Sequence, residues 1–262
     1  MLSDNQHSQN RHPYTDRRQS HMNEVLLWMI IFLHIPKTGG STLRDILHRQ
    51  YGGPHILRYS PNTPAQALHK PGIQCVYGHC RYGVHVHTRK KTTYIAFLRD
   101  PLDRILSMYY FIRSRPQNNM YPKVIKMSLK EFVTCPEPRI QLPLHNHQTR
   151  MISGKKHPEL KMAIDNIKKD FAVVGITEMY PESIFMMKKA LGWGDVSYRK
   201  ENVNHRRREK TNIPDRIKQI IRENNQLDYE LYAYAEKRLH NQLQNLNDYE
   251  QQQLAAFKKS VH

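Results

Sequence analysis

The run Lys37-Thr38-Gly39-Gly40-Ser41-Thr42 joins one cation to two glycines and three hydroxyls, a set of groups suited to holding an oxyanion. Free backbone amides at a glycine turn and the positive end of a helix dipole face an anion, and Lys37 adds a full charge beside them. A second set lies sixty residues on: Arg99 supplies a charged fork and Ser107 a hydroxyl two helical turns later, enough to clamp a second phosphate. Between them stands His79, an imidazole able to take a proton near neutral pH. His34, beside the first set, is an alternative base or a plain strand-end residue. Two anion sites with a histidine between them suit a ligand that carries two phosphate or sulfate groups.

These groups must be positioned by elements, and the sequence supplies them in order. Val25 to Leu33 is almost unbroken aliphatic and aromatic, as in a strand buried on both faces of a parallel sheet, and Thr42 to Gln50 can continue as a helix. Thr93 to Leu98 reads as another strand that exits through Arg99-Asp100-Pro101, with Pro101 suited to the first turn of a helix. On that helix Leu102, Ile105, Leu106 and Tyr109 make one apolar stripe, and Asp103, Arg104 and Ser107 lie on the other side. Ile73 to Tyr77 is a short apolar run that places His79 at a strand exit, where open α/β sheets bind ligands. The expected fold class is α/β, a P-loop-like parallel sheet flanked by helices in a single domain.

The spacing excludes an ordinary nucleotide triphosphatase. A Walker A loop places its lysine after the glycines, whereas Lys37 precedes Gly39 and Gly40, and the single Gly-Lys pair, Gly154-Lys155, is followed by another lysine. His79, Cys80, His85 and His87 match no standard zinc spacing, and no Cys-x-x-Cys pair exists.

Together the two loops resemble the sulfotransferases that use 3′-phosphoadenosine 5′-phosphosulfate. Further stretches, Tyr77 to Tyr82, Ile95 to Phe111, Phe171 to Glu178 and the basic region near residues 199 to 211, are similar to landmarks of the heparan sulfate and uronyl 2-O-sulfotransferase group. The resemblance runs from about Phe32 to about Leu239. It implies that Lys37 contacts the phosphosulfate and its bridging oxygen while Thr38, Gly39, Gly40, Ser41 and Thr42 give amides and hydroxyls. It implies equally that Arg99 and Ser107 hold the 3′-phosphate and that His79 is the general base. In that family a His-Gly-His motif carries the base; here Tyr77 stands at the first histidine. The implied reaction moves a sulfuryl group to a hydroxyl of an acceptor, a carbohydrate by resemblance, and requires no metal. Two other readings stand beside it: a nucleotide-dependent phosphotransferase, and a basic polyanion-binding protein on the same fold.

Composition sets the frame. The 262 residues suffice for one substantial core, and 41 Lys and Arg against 23 Asp and Glu leave a net charge of +18, which attracts polyanions. The densest basic run holds Arg199, Lys200, His205, Arg206, Arg207, Arg208 and Lys210 and carries no recognisable DNA- or RNA-reading motif; the resemblance implies that it covers the nucleotide cofactor or lines the acceptor groove, so the expected partner is an acidic saccharide rather than a specific nucleic acid. Residues 1–22 are polar and read as a disordered tail, residues 23–246 as the domain, and residues 247–262 as a frayed end. Leu26 to Leu33 is too short to span a bilayer and leads into the cradle, so a cytoplasmic location is expected. Three cysteines, Cys75, Cys80 and Cys135, give no disulfide framework. Pro54 to Pro71 and Pro136 to Pro143 read as loops, and Leu227, Leu231, Tyr234, Leu239 and Leu243 as one face of a helix with Asp228 to Lys237 outside.

Overall fold

A computed structural model describes residues 28–60, 62–199 and 213–261. The expected tail over residues 1–22 and the basic run from Lys200 to Lys210 lie outside the described residues.

Five parallel strands form the sheet: β1 Trp28–Leu33, β2 Ile56–Tyr59, β3 Cys75–Gly78, β4 Lys91–Leu98 and β5 Phe171–Ile176, in the order β2-β3-β1-β4-β5. The central strands bury both faces, as their continuous apolar sequence requires; Ile31, Phe32, Leu33, Ile95, Ala96, Phe97 and Leu98 are all fully buried. β2 falls inside the proline-bounded stretch expected to be a loop. It is an edge strand of four residues, too short to show alternation, and is defined by its pairing of Leu57 with Val76.

After β1 come helix α1 (Gly40–Tyr51) and then, after β4, α2 (Pro101–Arg113). Short helical turns at Tyr121–Val124, Leu129–Val133 and Pro138–Gln141 lead to α3 (His147–Ser153) and α4 (Leu160–Asp170). β5 is followed by α5 (Tyr180–Leu191), α6 (Asp215–Glu223), α7 (Gln226–Gln244) and α8 (Asp248–Ser260). The core has two parts: one around the sheet, and a second in which Ile105, Leu106, Tyr109 and Ile112 of α2 pack on Phe132, Ile217 and Ile221.

Two sequence expectations are corrected. Residues 247–262 do not read as a frayed end: α8 is started by a capping box of Asn247 and Glu250, and it is tied to α5 by the Lys189–Glu250 and Lys258–Glu182 ion pairs and by Phe257 against Phe185. Asp228, expected on the outside of α7, is fully buried, as is Arg104 on the side of α2 opposite its apolar stripe. Both are polar anchors for the segment before and within α3: Arg104 Nη2 donates to the Pro143 carbonyl at 2.8 Å, and the bonds of Asp228 are described below.

Sheet order reverses at β1, whose neighbours are β3 on one side and β4 on the other. Ligands of open α/β sheets bind at such a switch point, beyond the carboxyl ends of the strands. The loops leaving β1, β3 and β4 carry Lys37, His79 and Arg99.

Candidate functional site

Backbone geometry shapes the first loop. Lys37 takes φ 72° and Gly39 φ 84°, two left-handed residues that turn the chain sharply from β1 into α1. Left-handed backbone is rare and strained for a lysine, and here it is held: Arg99 Nη1 donates to the Lys37 carbonyl at 3.1 Å. Thr38 Oγ1 donates to the Ile35 carbonyl at 2.9 Å, Thr177 Oγ1 to the Thr38 carbonyl at 3.0 Å, and Tyr180 Oη to the Gly39 carbonyl at 2.9 Å. The carbonyls are thereby drawn inward, leaving the amides at the start of α1 for an anion. Neither glycine admits a side chain. A Cβ at Gly39 would stand 2.8 Å from the Tyr180 ring, and one at Gly40 would stand 2.0 Å from His34 Nε2.

Lys37 sends its ammonium over the Phe111 ring, 3.7 Å from the centroid, and the Arg115 guanidinium lies 4.5 Å from the same ring. Burial, together with Arg99 and Arg115, brings the Lys37 amine down to about 8. An anion entering the cradle meets a lysine that gains from its charge. Arg99 is placed from three sides. The Gln148 side chain accepts from its backbone N–H at 2.9 Å and donates to its carbonyl at 2.8 Å, while Glu178 Oε1 lies 3.9 Å from Nε. Ser107 sits half-buried on α2, the helix that starts directly after Asp100, whose carboxylate caps the Asp103 amide.

His79 is exposed at the end of β3. Its Nδ1 lies 2.9 Å from the His34 carbonyl. A carbonyl only accepts, so Nδ1 carries a proton, and in the neutral ring the lone pair is on Nε2. The His34 ring lies tilted against that of His79, with centroids 4.5 Å apart and planes at 31°, and is pressed over Gly40. Burial, then the charges of His79, Arg44 and Lys37, lower its pKa to about 3, so it is neutral at any working pH. Through its backbone carbonyl, His34 orients the His79 ring. Tyr77, at the position of the absent histidine, points elsewhere: its hydroxyl pairs with His48 Nε2 at 3.3 Å.

The structure thus brings Lys37, Gly39, Gly40, Arg99 and His79 to one crevice. Sequence reading missed Thr177, Tyr180 and Gln148, which orient the loops through backbone groups that no local motif announces. It also missed Asp228, whose carboxylate accepts from the Gln148 amide at 3.0 Å, the Thr149 amide at 2.7 Å and Thr149 Oγ1 at 2.8 Å, capping α3 from another helix. Asn146, the residue before α3, takes φ 45°, and its side-chain oxygen accepts from the Asp228 amide. Cys75, Cys80 and Cys135 are buried thiols.

Chicken (Gallus gallus) heparan sulfate 2-O-sulfotransferase 1 is 26% identical over 196 residues, covering 62% of this chain and 54% of the relative. The human protein of the same name is 25% identical over 209 residues, covering 67% and 58%, and chicken heparan-sulfate 6-O-sulfotransferase 2 is 24% identical over 269 residues, covering 79% and 66%. The chain spans little more than half the length of the 2-O relatives. Among solved structures, mouse sulfotransferase SULT7A1 complexed with PAP aligns with a TM-score of 0.38 at 14% identity, covering 77% of this chain and 67% of that one. No helix among the described residues is long and apolar enough to cross a membrane. Residues 29–235, from β1 through most of α7, match the family model described as the Sulfotransferase family, and the chain belongs to that family.

Proposed function

We propose that this protein transfers a sulfuryl group from 3′-phosphoadenosine 5′-phosphosulfate to a hydroxyl of an acidic saccharide, with His79 as general base. The observation that carries this reading is the convergence of three loops, after β3, β1 and β4, which sets His79, the Lys37–Thr42 turn and Arg99 around one crevice. The residues fit the donor: two glycines that leave no room for Cβ atoms, inward-drawn carbonyls and a desolvated lysine make a cradle for a phosphosulfate. Arg99 and Ser107, at and just beyond the exit of β4, are the proposed holders of the 3′-phosphate.

The donor supplies an activated sulfuryl group, and the chain's own residues handle protons and charge. His79 Nε2 takes the acceptor hydroxyl's proton as that oxygen bonds to sulfur and the bond from sulfur to the phosphate oxygen breaks. Lys37 neutralises the charge left on the departing phosphate, and the amides of Gly39 to Thr42 hold its other oxygens. In-line transfer of this kind resembles phosphoryl transfer, where positioning and charge neutralisation supply most of the rate. Family relatives named as heparan sulfate sulfotransferases and the chain's net charge of +18 support an acidic saccharide acceptor.

Thermal stabilisation by 3′,5′-adenosine bisphosphate, compared with AMP and with ATP and magnesium, tests the donor assignment without an acceptor. A ligand at a hundred times its Kd adds about 2.7 kcal/mol of stability. The expected result is selective stabilisation by the bisphosphate that Lys37→Ala abolishes; a stronger response to ATP would replace the reading with a phosphotransferase.

A further inference from the structure

β4 and β5 are neighbours in the sheet, with Leu98 paired to Ile176, so the loops that leave them run side by side. One carries Arg99 and the other Glu178. Glu178 Oε1 accepts from the Asp100 amide at 3.3 Å and lies 3.9 Å from Arg99 Nε, while Oε2 accepts from Tyr232 Oη of α7 at 3.2 Å. Thr177, just before it, donates through Oγ1 to the Leu98 carbonyl at 2.9 Å and to the Thr38 carbonyl at 3.0 Å. The carboxylate is therefore fastened from β4, from α7 and through its own loop, beside the guanidinium proposed to hold the 3′-phosphate.

Holding Arg99 does not call for a negative charge. On its other side Gln148 places the Arg99 backbone with a neutral amide, through one accepted and one donated hydrogen bond. The Lys37 carbonyl takes the guanidinium at Nη1, again without a formal charge. Glu178 differs. At 3.9 Å its contact with Nε is too long for a hydrogen bond and acts as charge on charge. Burial raises its carboxyl pKa, and the Asp100 amide, Arg99 and Tyr232 oppose that shift by favouring the charged form. A neutral glutamine of the same shape could accept from the same amide, so what the carboxylate adds is its charge. That charge opposes a phosphate arriving at the same guanidinium.

We propose that Glu178 is a positioning residue that acts on the donor through Arg99, its negative charge weakening the grip on a 3′-phosphate so that the spent nucleotide leaves. The inference rests on the proposed role of Arg99. Donor and product both carry the 3′-phosphate, so a tighter grip at that group binds both alike and adds nothing to the chemical step. It slows release, which limits turnover in many enzymes. A counter-charge beside the clamp keeps its preference for a phosphate while limiting its hold.

Calorimetry on the full chain with 3′,5′-adenosine bisphosphate and with AMP, which lacks the 3′-phosphate, tests this. Glu178→Gln keeps the shape and the bond from the Asp100 amide, and is expected to bind the bisphosphate about tenfold tighter, with AMP within about twofold of wild type. The gain should shrink as sodium chloride rises from about 50 to about 500 mM, since salt screens the repulsion that wild type retains. Stopped-flow displacement is expected to show the tighter binding as slower dissociation. Tyr232→Phe removes a hydrogen bond from Glu178 and keeps its charge, so bisphosphate affinity should stay within about twofold. Unchanged or weaker binding of the bisphosphate in Glu178→Gln, equal tightening of both nucleotides, or tightening as large in Tyr232→Phe would each overturn the role of Glu178 while the donor reading stands. Equal affinity of wild type for the bisphosphate and AMP would overturn the Arg99 clamp, and the inference with it.

Discussion

The two walls of the crevice are built in opposite ways. The proposed donor wall draws its phosphosulfate-binding groups from one stretch: ten residues from Leu33 to Thr42 contain the strand end, the turn and the helix start, and the side chains of Arg99, Thr177 and Tyr180, 62, 139 and 141 residues from their partners, hold that stretch in shape. The opposite side, around α3, is assembled from distant segments. Its residues come from the loop after β3, from α2 and from α3, and they are fixed by a carboxylate on α7, 79 and 80 residues from its partners. A backbone cradle can recur wherever a short motif recurs.

The largest expected effect separates the walls. His79→Ala removes the proposed base and is expected to lower kcat by roughly 10²–10⁴-fold, with the Kd for 3′,5′-adenosine bisphosphate within twofold of wild type. Steady-state kinetics with a saccharide acceptor beside a binding titration measures both. A matching loss of donor affinity would merge the two walls into one unit and break the comparison.

Stability should show the same contrast. Asp228→Ala leaves three capping donors of α3 unmet and the charges of Arg104 and Arg150 without their carboxylate, so urea unfolding is expected to show a loss of about 3–5 kcal/mol. On the donor wall, Thr177→Val removes one hydroxyl that donates to the Thr38 and Leu98 carbonyls, at an expected cost of about 1 kcal/mol. Equal costs would mean that the cradle depends on remote support as heavily as its neighbour does.

Donor binding itself is expected to depend on pH through Lys37. Its amine titrates at about 8 in the free protein, and an anion in the cradle raises that value. Affinity for the bisphosphate is therefore full between about pH 7, where phosphate ionisation is mostly complete, and pH 8, and falls as pH rises further, by up to about a hundredfold near pH 10. Lys37→Met should bind weakly with a flat profile. An unchanged slope in that variant would assign the titration to another group.

The same contrast explains how much could be read in advance. β1, α1, β4 and α2 were legible because each carries its own signal: a continuous apolar run, a glycine turn, a proline at the first turn of a helix. The candidate cofactor residues Lys37 to Thr42 and Arg99 followed from those elements. β2 was hidden because an edge strand of four residues has no pattern of its own, and α8 because its apolar contacts, Leu254 and Phe257, are too few to declare a face. Asp228 and Arg104 were misplaced for a deeper reason. A charged residue in a helix reads as solvent-facing unless its partner is known, and here the partners are amides and carbonyls, which sequence does not distinguish.

The smallest expected effect sits at the seam between the walls. His34 closes the donor turn over Gly40 and lies tilted against His79, and burial holds it neutral with a pKa of about 3. The unfolded chain takes up a proton at this residue near pH 6.5, and the folded chain does not until about pH 3. Between those values the unfolded state binds more protons, so the stability due to a neutral His34 is complete above pH 6.5 and is lost progressively as pH falls towards 3. Lowering pH from 7 to 5.5 is expected to cost roughly 1 kcal/mol through this group, seen as an earlier urea midpoint. In His34→Asn that part of the acid dependence should disappear, and because the His34 carbonyl still accepts from His79 Nδ1, turnover should fall far less than in His79→Ala. A fall as deep as that of His79→Ala would move His34 from alignment into proton transfer and make the seam, rather than either wall, the chemical centre.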